Sequence, residues 1–415
     1  MHVRSNYKVA LLGSHLPRQC GIATFTSDLN DALQAECTGV EPFVVAVNDV
    51  GRQYVYRDQV RFEISETEIA SYRRAADFLN VNSVDVLCLQ HEYGIYGGKS
   101  GAHVLALLRN LRMPIVTTLH TILAEPTASQ RCVMDELTQL SERLVVMSQH
   151  GAALLGRVHH VPDSKIDLIP HGIDSVPVDG GSKDSLGVEG QSVILTFGLL
   201  SPDKGIEYMI DALPAILARF PKTVYIVVGA THPHVKEFGG ETYRLMLESR
   251  AKQLGVESQV KFHNRFVSRV ELREFLSAAD IYVTPYLKPE QITSGTLAYA
   301  LGSGKAVIST PYWYAEELLA GGRGILVPWR DSNAIAKNVI ELLANGSDRQ
   351  AMQSRAVAYT REMAWPRVAR RYVQSFEKAA QGHKKQLRNV FHERAIASRP
   401  AALSPLGAPS SAFDE

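Results

Sequence analysis

The stretch ILTFGLLSPDKGIEYMIDAL, residues 194–213, reads as one structural unit. Its apolar run, Val193–Phe197 with the preceding residue included, suits a strand buried on both faces. Gly198 ends the run. A polar turn with Pro202 and Gly205 follows, and from Ile206 to Ala218 apolar residues recur at helical spacing. A strand, a loop and a helix in that order form the first half of a βαβ unit.

Outward from this unit the pattern repeats. Downstream, short β-rich runs at Val224–Val228, Val260–Phe262, Ile281–Val283, Ala306–Ser309 and Ile325–Val327 alternate with helical segments such as Val270–Ala279 and Ala334–Leu343. Upstream, the runs are Lys8–Gly13, Phe43–Val47, Val84–Leu89, Ile115–Leu119, Leu144–Met147 and Ile166–Ile169. Helical spacing covers Thr26–Glu36, Ala102–Leu111 and Ser129–Leu140 between them. Strands separated by helix-length segments give parallel sheets covered on both faces. The expected fold class is therefore α/β, with two doubly wound, Rossmann-like domains facing each other.

Between Ile169 and Gln191 the texture changes. Pro170, Gly172, Pro177, Gly180 and Gly181 crowd a polar stretch, the expected interdomain linker. This places a first domain at residues 1–176 and a second at 190–364. A further helix is expected over about 365–382, with Pro366 in its first turn. Residues 386–415, ending in ASRPAALSPLGAPSSAFDE, carry no core pattern and are expected to be disordered.

Composition excludes several classes. The 415 residues are 45% apolar and 21% charged, an ordinary mix for burying sizeable cores. Lys and Arg number 44 against 43 Asp and Glu, so bulk positive charge for nucleic-acid binding is absent. Cys20, Cys37, Cys88 and Cys132 show neither a disulfide framework nor metal-ligand spacing, which suits a reducing cytosol. The polar start, Met1–Tyr7, leads straight into a strand, so no signal peptide is expected. No apolar run approaches the ~18 residues of a spanning helix. Peripheral contact with the inner face of a membrane remains compatible, and oligomeric state is unread.

Doubly wound sheets bind ligands beyond the carboxyl ends of their strands. Candidate chemistry therefore lies in the loops after each run. GSHLPRQCGIATFTSDL, residues 13–29, leads from the first strand to a helix start, where backbone amides can meet an anion. Arg18 and Gly21 are its cleft candidates, and the G-x-G-x-x-G dinucleotide spacing is missing. QHEYGIYGGKSGAH, residues 90–103, falls one residue short of a phosphate-wrapping G-x-x-x-x-G-K-S loop, so an NTPase is not expected. There His91 and Glu92 are placed at the strand end as polar sugar contacts, with a packing role equally open. His120 stands at the end of the Ile115–Leu119 run, divided between packing and cleft roles.

Lys204 precedes a helix N-terminus, a position unfavourable for a cation unless an anion sits there too. It is the best candidate for a diphosphate contact, against a solvated surface lysine. In TPYLKPEQITSGTLAYALGSGKAVIST, residues 284–310, Ser294, Gly295 and Thr296 offer a second helix start to a phosphate, although Ser294 alone reads equally as an N-cap. His232 and His234 lack partners for a metal, and the sequence contains no Asp-x-Asp. No metal and no cofactor are expected.

On these residues the chain resembles the retaining, metal-independent glycosyltransferases of family four, with the GT-B fold. CGIATFTSDL looks like the family's glycine loop, VTTLH its His-bearing strand end, and LIPHGID its IPNGVD hinge. GLLSPDKGIEYMIDAL looks like its phosphate strand-loop-helix, and LREFLSAADIYVTPY and ALGSGKAVIST its donor-site segments. AWPRVARRYVQSF looks like its closing helix, which crosses back to the first domain. The resemblance implies a nucleotide-sugar donor on the second domain and a saccharide or glycoside acceptor on the first. It assigns Lys204 to the diphosphate, with Gly198 and Ser294–Thr296 near it. It puts His120 beside the donor sugar and Gly21 near phosphate and acceptor.

The sequence also departs from the family. Leu199 stands where the family has Arg, leaving Arg265, Arg269 or Arg18 to compensate. The family's two glutamates fall on Gln291 and Tyr299, with Glu290 adjacent to the first, and the following acid on Glu316 or Glu317. Tyr299 offers one hydrogen bond where glutamate would grip both ribose hydroxyls. Three functions follow as expectations: a hexosyl transferase, a phosphorylase acting on a sugar 1-phosphate, or a silent carbohydrate-binding protein.

Overall fold

The computed structural model describes residues 7–174 and 182–397. The first sheet comprises β1 (Tyr7–Gly13), β2 (Val40–Asn48), β3 (Val60–Ser65), β4 (Val86–His91), β5 (Ile115–Leu119), β6 (Arg143–Val146) and β7 (Ile166–Leu168). The second comprises β8 (Ser192–Phe197), β9 (Thr223–Val228), β10 (Val260–His263), β11 (Ile281–Thr284), β12 (Ala306–Ser309) and β13 (Ile325–Leu326). Their orders are β3-β2-β1-β4-β5-β6-β7 and β10-β9-β8-β11-β12-β13. Every pairing between these strands is parallel. Strand order reverses between β1 and β4, and again between β8 and β11. A crevice opens at the carboxyl end of each such point.

Burial explains why the strands were legible. Val9 to Leu12, Val86 to Leu89 and Val224 to Val228 are enclosed on both faces by helices, so their sequences are unbroken apolar runs. β3 is the exception. VRFEIS lies at the sheet edge and alternates apolar with charged or polar residues, so it carries no such run. Among the described residues, no helix is long and apolar enough to cross a membrane.

The closing helix differs from expectation. It runs over Trp365–Ala397, 33 residues rather than ending near 382. Disorder from 386 is thus wrong for residues 386–397, and the remainder of that tail, 398–415, lies outside the described residues. The cause is propensity: no Gly or Pro interrupts Lys384–Ala397. The linker residues 175–181 also lie outside the described ones.

The chain passes between the domains twice, and the passages touch. Ile173 N–H donates to Met363 O at 2.9 Å, and Trp365 N–H donates to Ile173 O at 3.0 Å. Gly172 lies under the Trp365 ring, where a Cβ would come within 2.3 Å. The closing helix then packs on the first domain. Val368, Tyr372 and Phe376 join Val9, Leu11 and Phe25 in one core. Tyr372 Oη and Thr118 Oγ1 are 2.9 Å apart.

Asp167 on β7 anchors the helix. It accepts from Ser375 Oγ at 2.8 Å and Lys378 Nζ at 2.9 Å, and from Arg143 at 2.8 and 2.6 Å. Burial alone would raise its carboxyl, but hydrogen bonds from Arg143, Lys378 and Ser375 hold it below the usual range. A depressed carboxylate stabilises the fold above its unfolded pKa and loses that contribution as pH falls. Asp167→Ala is expected to cost about 3 kcal/mol in urea denaturation near neutrality. The gap between the two proteins should narrow below about pH 4.

Candidate active site

The sheets' carboxyl ends enclose a cleft with two chambers. The larger is about 830 Å³ and the smaller about 330 Å³. Gly21, Phe25, His171, Gln291, Thr293 and Gly295 border both. Gly198, Lys204, Arg265, Ser294, Thr296 and Tyr299 line the larger chamber. Glu92, His120 and Glu290 line the smaller one. Of the residues singled out by sequence for the site, Arg18, His91, Glu316 and Glu317 line neither.

The second domain supplies a cationic corner. β8 ends at Phe197, and Gly198 turns the chain at φ +131°, with Thr296 Cγ2 3.2 Å from where a Cβ would sit. Lys204 ends a short turn just before the helix Ile206–Arg219. Its ammonium lies 3.8 Å above the centre of the Tyr286 ring, a cation–π contact. No carboxylate pairs with it among the described residues. Facing it is the start of the helix Gly295–Gly302. Ser294 Oγ accepts from Leu297 N–H at 3.3 Å, so this hydroxyl serves as the N-cap. Thr296 Oγ1 lies 2.9 Å from Tyr286 Oη and 3.1 Å from Ser294 Oγ. The Gly295 and Thr296 amides find no acceptor among the described residues, so they are donors open to an anion.

The first domain supplies neutral imidazole. His120 follows β5 and is almost fully buried. Its Nε2 lies 3.0 Å from Gln90 Oε1, while Gln90 Nε2 donates to Cys88 Sγ at 3.3 Å. Gln90 thus turns its oxygen to His120, and His120 carries its proton on Nε2. Burial, with His171 and His91 nearby, pushes His120 down to about 3. Burial likewise takes His171 to about 4. Beside them, Glu92 accepts from Tyr93 N–H at 2.9 Å and Thr121 Oγ at 2.5 Å. Burial raises the Glu92 carboxyl.

Several assignments need correction. Arg18 turns away from the cleft, donating to Val47 O at 3.0 Å and pairing with Glu66 at 3.4 Å. His91 is sealed inside its own domain against Tyr93 and Tyr96. Adjacent strand residues face opposite ways, and Gln90 rather than His91 takes the His120 side. Tyr299 borders the cleft, but its hydroxyl reaches across the domains to Asp28 Oδ2 at 2.5 Å. Arg265 pairs with Glu271, and Arg269 with Asp28 and Asp174, so neither is a free substitute for the cation absent at Leu199. Glu317 caps a first-domain helix, accepting from Gln149 N–H at 2.9 Å and His150 N–H at 3.3 Å. Glu316 is exposed.

Sequence reasoning missed His171, Phe25 and Asp28. Phe25 presents its ring to His120 at 4.9 Å and to His171 at 5.1 Å, both edge to face. The available signal was His171 itself, standing where the IPNGVD motif has Asn.

A cleft between two Rossmann-like sheets, closed by a helix returning to the first, defines the GT-B class. The family description Glycosyltransferase Family 4 matches residues 20–176, and Glycosyl transferases group 1 matches residues 182–359. The chain belongs to the family-four glycosyltransferases. It is 25% identical over 390 residues to the D-inositol 3-phosphate glycosyltransferase of Corynebacterium efficiens, covering 88% of each chain. Over 215 residues it is 26% identical to the phosphatidyl-myo-inositol mannosyltransferase of Mycolicibacterium smegmatis, covering 50% of this chain and 51% of that one. Anabaena HepE, solved in complex with UDP and glucose, superposes with a TM-score of 0.72 at 19% identity, covering 89% of this chain and 99% of that one. Sucrose-phosphate synthase from Thermosynechococcus elongatus gives 0.66 at 17%, covering 94% and 100%. At these identities the solved structures establish the fold.

Imidazole NMR should find His120 and His171 neutral throughout about pH 8 to pH 5. Their folded pKa values lie below the ordinary ~6.5 of the unfolded chain. Protonation therefore favours the unfolded state, and their contribution to stability falls as pH drops below that value. An imidazolium signal from either residue at pH 6 would contradict this.

Proposed function

We propose that the protein is a retaining glycosyltransferase, needing neither metal nor cofactor, that moves a hexosyl unit from a nucleotide-diphospho-sugar to a hydroxyl of a saccharide or glycoside acceptor. The observation behind this reading is the corner where the Lys204 ammonium, unpaired with any carboxylate among the described residues, meets the open amides of Gly295 and Thr296. It offers a diphosphate the positive charge and directed donors that it needs. Anabaena HepE, of the same fold, has been solved with UDP and glucose. The corynebacterial relative is named as a glycosyltransferase.

In this mechanism the donor's diphosphate leaves as charge builds on its bridging oxygen. Lys204 and the two amides stabilise that charge without reorganising. The acceptor hydroxyl approaches on the face being vacated, and the departing oxygen takes its proton. The new bond forms on the side of the old one, so configuration is retained. His120, neutral and held by Gln90, orients the sugar. The ammonium and helix start balance the diphosphate, so the scheme calls for no divalent cation. Closure of the domains excludes water from the bond being broken.

One observation favours a second reading. The Tyr299 hydroxyl is engaged with Asp28, so the ribose grip of the family pattern is not reproduced. A phosphorylase acting on a sugar 1-phosphate would use the same corner without a nucleoside.

Thermal-shift titration with UDP, GDP, ADP and sugar 1-phosphates separates these readings, and stabilisation by a nucleoside diphosphate is the expected result. Lys204→Ala should lower turnover tenfold to a thousandfold, for a charge-assisted contact of about 1.5–4 kcal/mol. Near-normal turnover in that variant would refute the assignment. With the donor so identified, EDTA should leave the rate unchanged, and NMR should show the product anomer matching the donor.

A further inference from the structure

We propose that His171 reads a hydroxyl of the transferred sugar, accepting its hydrogen bond through Nε2 at the boundary of the two chambers. This deepens the glycosyltransferase reading and rests on it. His171 borders both chambers. Its Nδ1 donates to the Gly172 carbonyl at 2.7 Å, which fixes the tautomer and leaves a lone pair on Nε2. Nε2 has no partner among the described residues, and it is not among the buried, unpartnered polar atoms. It is an acceptor open to the cleft.

Its neighbour places the ligand. Gly295 lies so close that a Cβ there would come 3.0 Å from His171 Nε2. The acceptor thus stands beside the amides that receive the diphosphate. A group held there is the one bonded to the leaving phosphate, which in the proposed reaction is the sugar. Neutral imidazole with a single lone pair selects a hydrogen-bond donor, and a sugar ring presents hydroxyls.

His120 completes the arrangement. Gln90 holds its Nε2–H, which leaves Nδ1 as a second acceptor in the smaller chamber. Phe25 touches both rings edge to face, and Trp365 packs behind Phe25 at 5.4 Å. Aromatic packing therefore fixes both imidazoles before any ligand arrives. The IPNGVD motif, which LIPHGID resembles, has Asn at the position of His171.

Calorimetry on wild type, His171→Phe and His171→Gln tests the assignment. The probes are UDP, GDP and ADP, and UDP-glucose, GDP-mannose and ADP-glucose with their monodeoxy sugar analogues. His171→Phe keeps an aromatic ring and removes the acceptor. It should bind the nucleoside diphosphate as wild type does and the matching nucleotide sugar about tenfold more weakly. His171→Gln returns an oxygen near the Nε2 position and should restore most of that loss. One deoxy analogue should weaken binding to wild type and leave His171→Phe unaffected, which packing alone would not produce.

An unchanged ratio of nucleotide-sugar to nucleotide affinity in His171→Phe overturns the proposal, as do equal losses for every deoxy analogue in both proteins. If the Phe variant fails to fold, His171→Asn, whose amide falls short of Nε2, makes the same comparison. If no nucleoside diphosphate binds wild type, the glycosyltransferase reading falls first and this one with it.

Discussion

A positive side chain held beside the positive end of a helix, with the amides there left open, is a local electrostatic conflict. The structure maintains it at Lys204 and Gly295. The Tyr286 ring face offsets part of it, a contact of about 0.5–2 kcal/mol, but supplies no countercharge. What relieves the conflict fully is an anion from outside. Much of the cleft follows from this. Gly198 and Gly295 keep side chains out of the corner, the Ser294 hydroxyl closes the next turn, and neutral rather than charged imidazoles stand alongside.

The domains meet through contacts of a different kind. Asp28 receives Tyr299 and Arg269 from the second domain, and Arg269 and Arg273 converge on Asp174 at the end of the first passage. Burial pushes the Asp28 carboxyl up against the pull of Arg269 and Tyr299. On the far side, Glu317 caps the helix Gln149–His159, and Trp313 stacks on His150 at 4.2 Å. Apart from Ile292, which inserts into the first core, the ties named here are polar or aromatic. Such contacts part and reform more readily than a shared apolar core. They suit domains that shift relative to one another.

How much was legible depended on which physical rule applied. Strands enclosed on both faces declared themselves as apolar runs, and β3, half exposed at an edge, did not. Most cleft residues were found because doubly wound sheets put ligands at strand ends, a rule of topology readable without coordinates. Side-chain direction was beyond it. Arg18 sits in the right loop and turns back to Glu66. His91 sits at the right strand end and faces the wrong way, while Gln90, one residue earlier, supports His120. Tyr299 borders the cleft, yet its length carries the hydroxyl past the cleft wall to Asp28. His171 was read as linker because its neighbours are Pro and Gly, and only the folded packing of Phe25 and Trp365 shows what it borders.

The closing helix has a consequence for synthesis. Trp365, Val368, Tyr372 and Phe376 complete the core begun by Val9 and Leu11, yet the whole second domain is translated in between. As the chain emerges from the ribosome, the first domain can pair its strands but must leave one apolar face uncovered until those residues appear. The nascent protein is therefore expected to carry an exposed sticky surface while the second domain is being made, the kind of surface that chaperones protect. The half made first is the last to be finished.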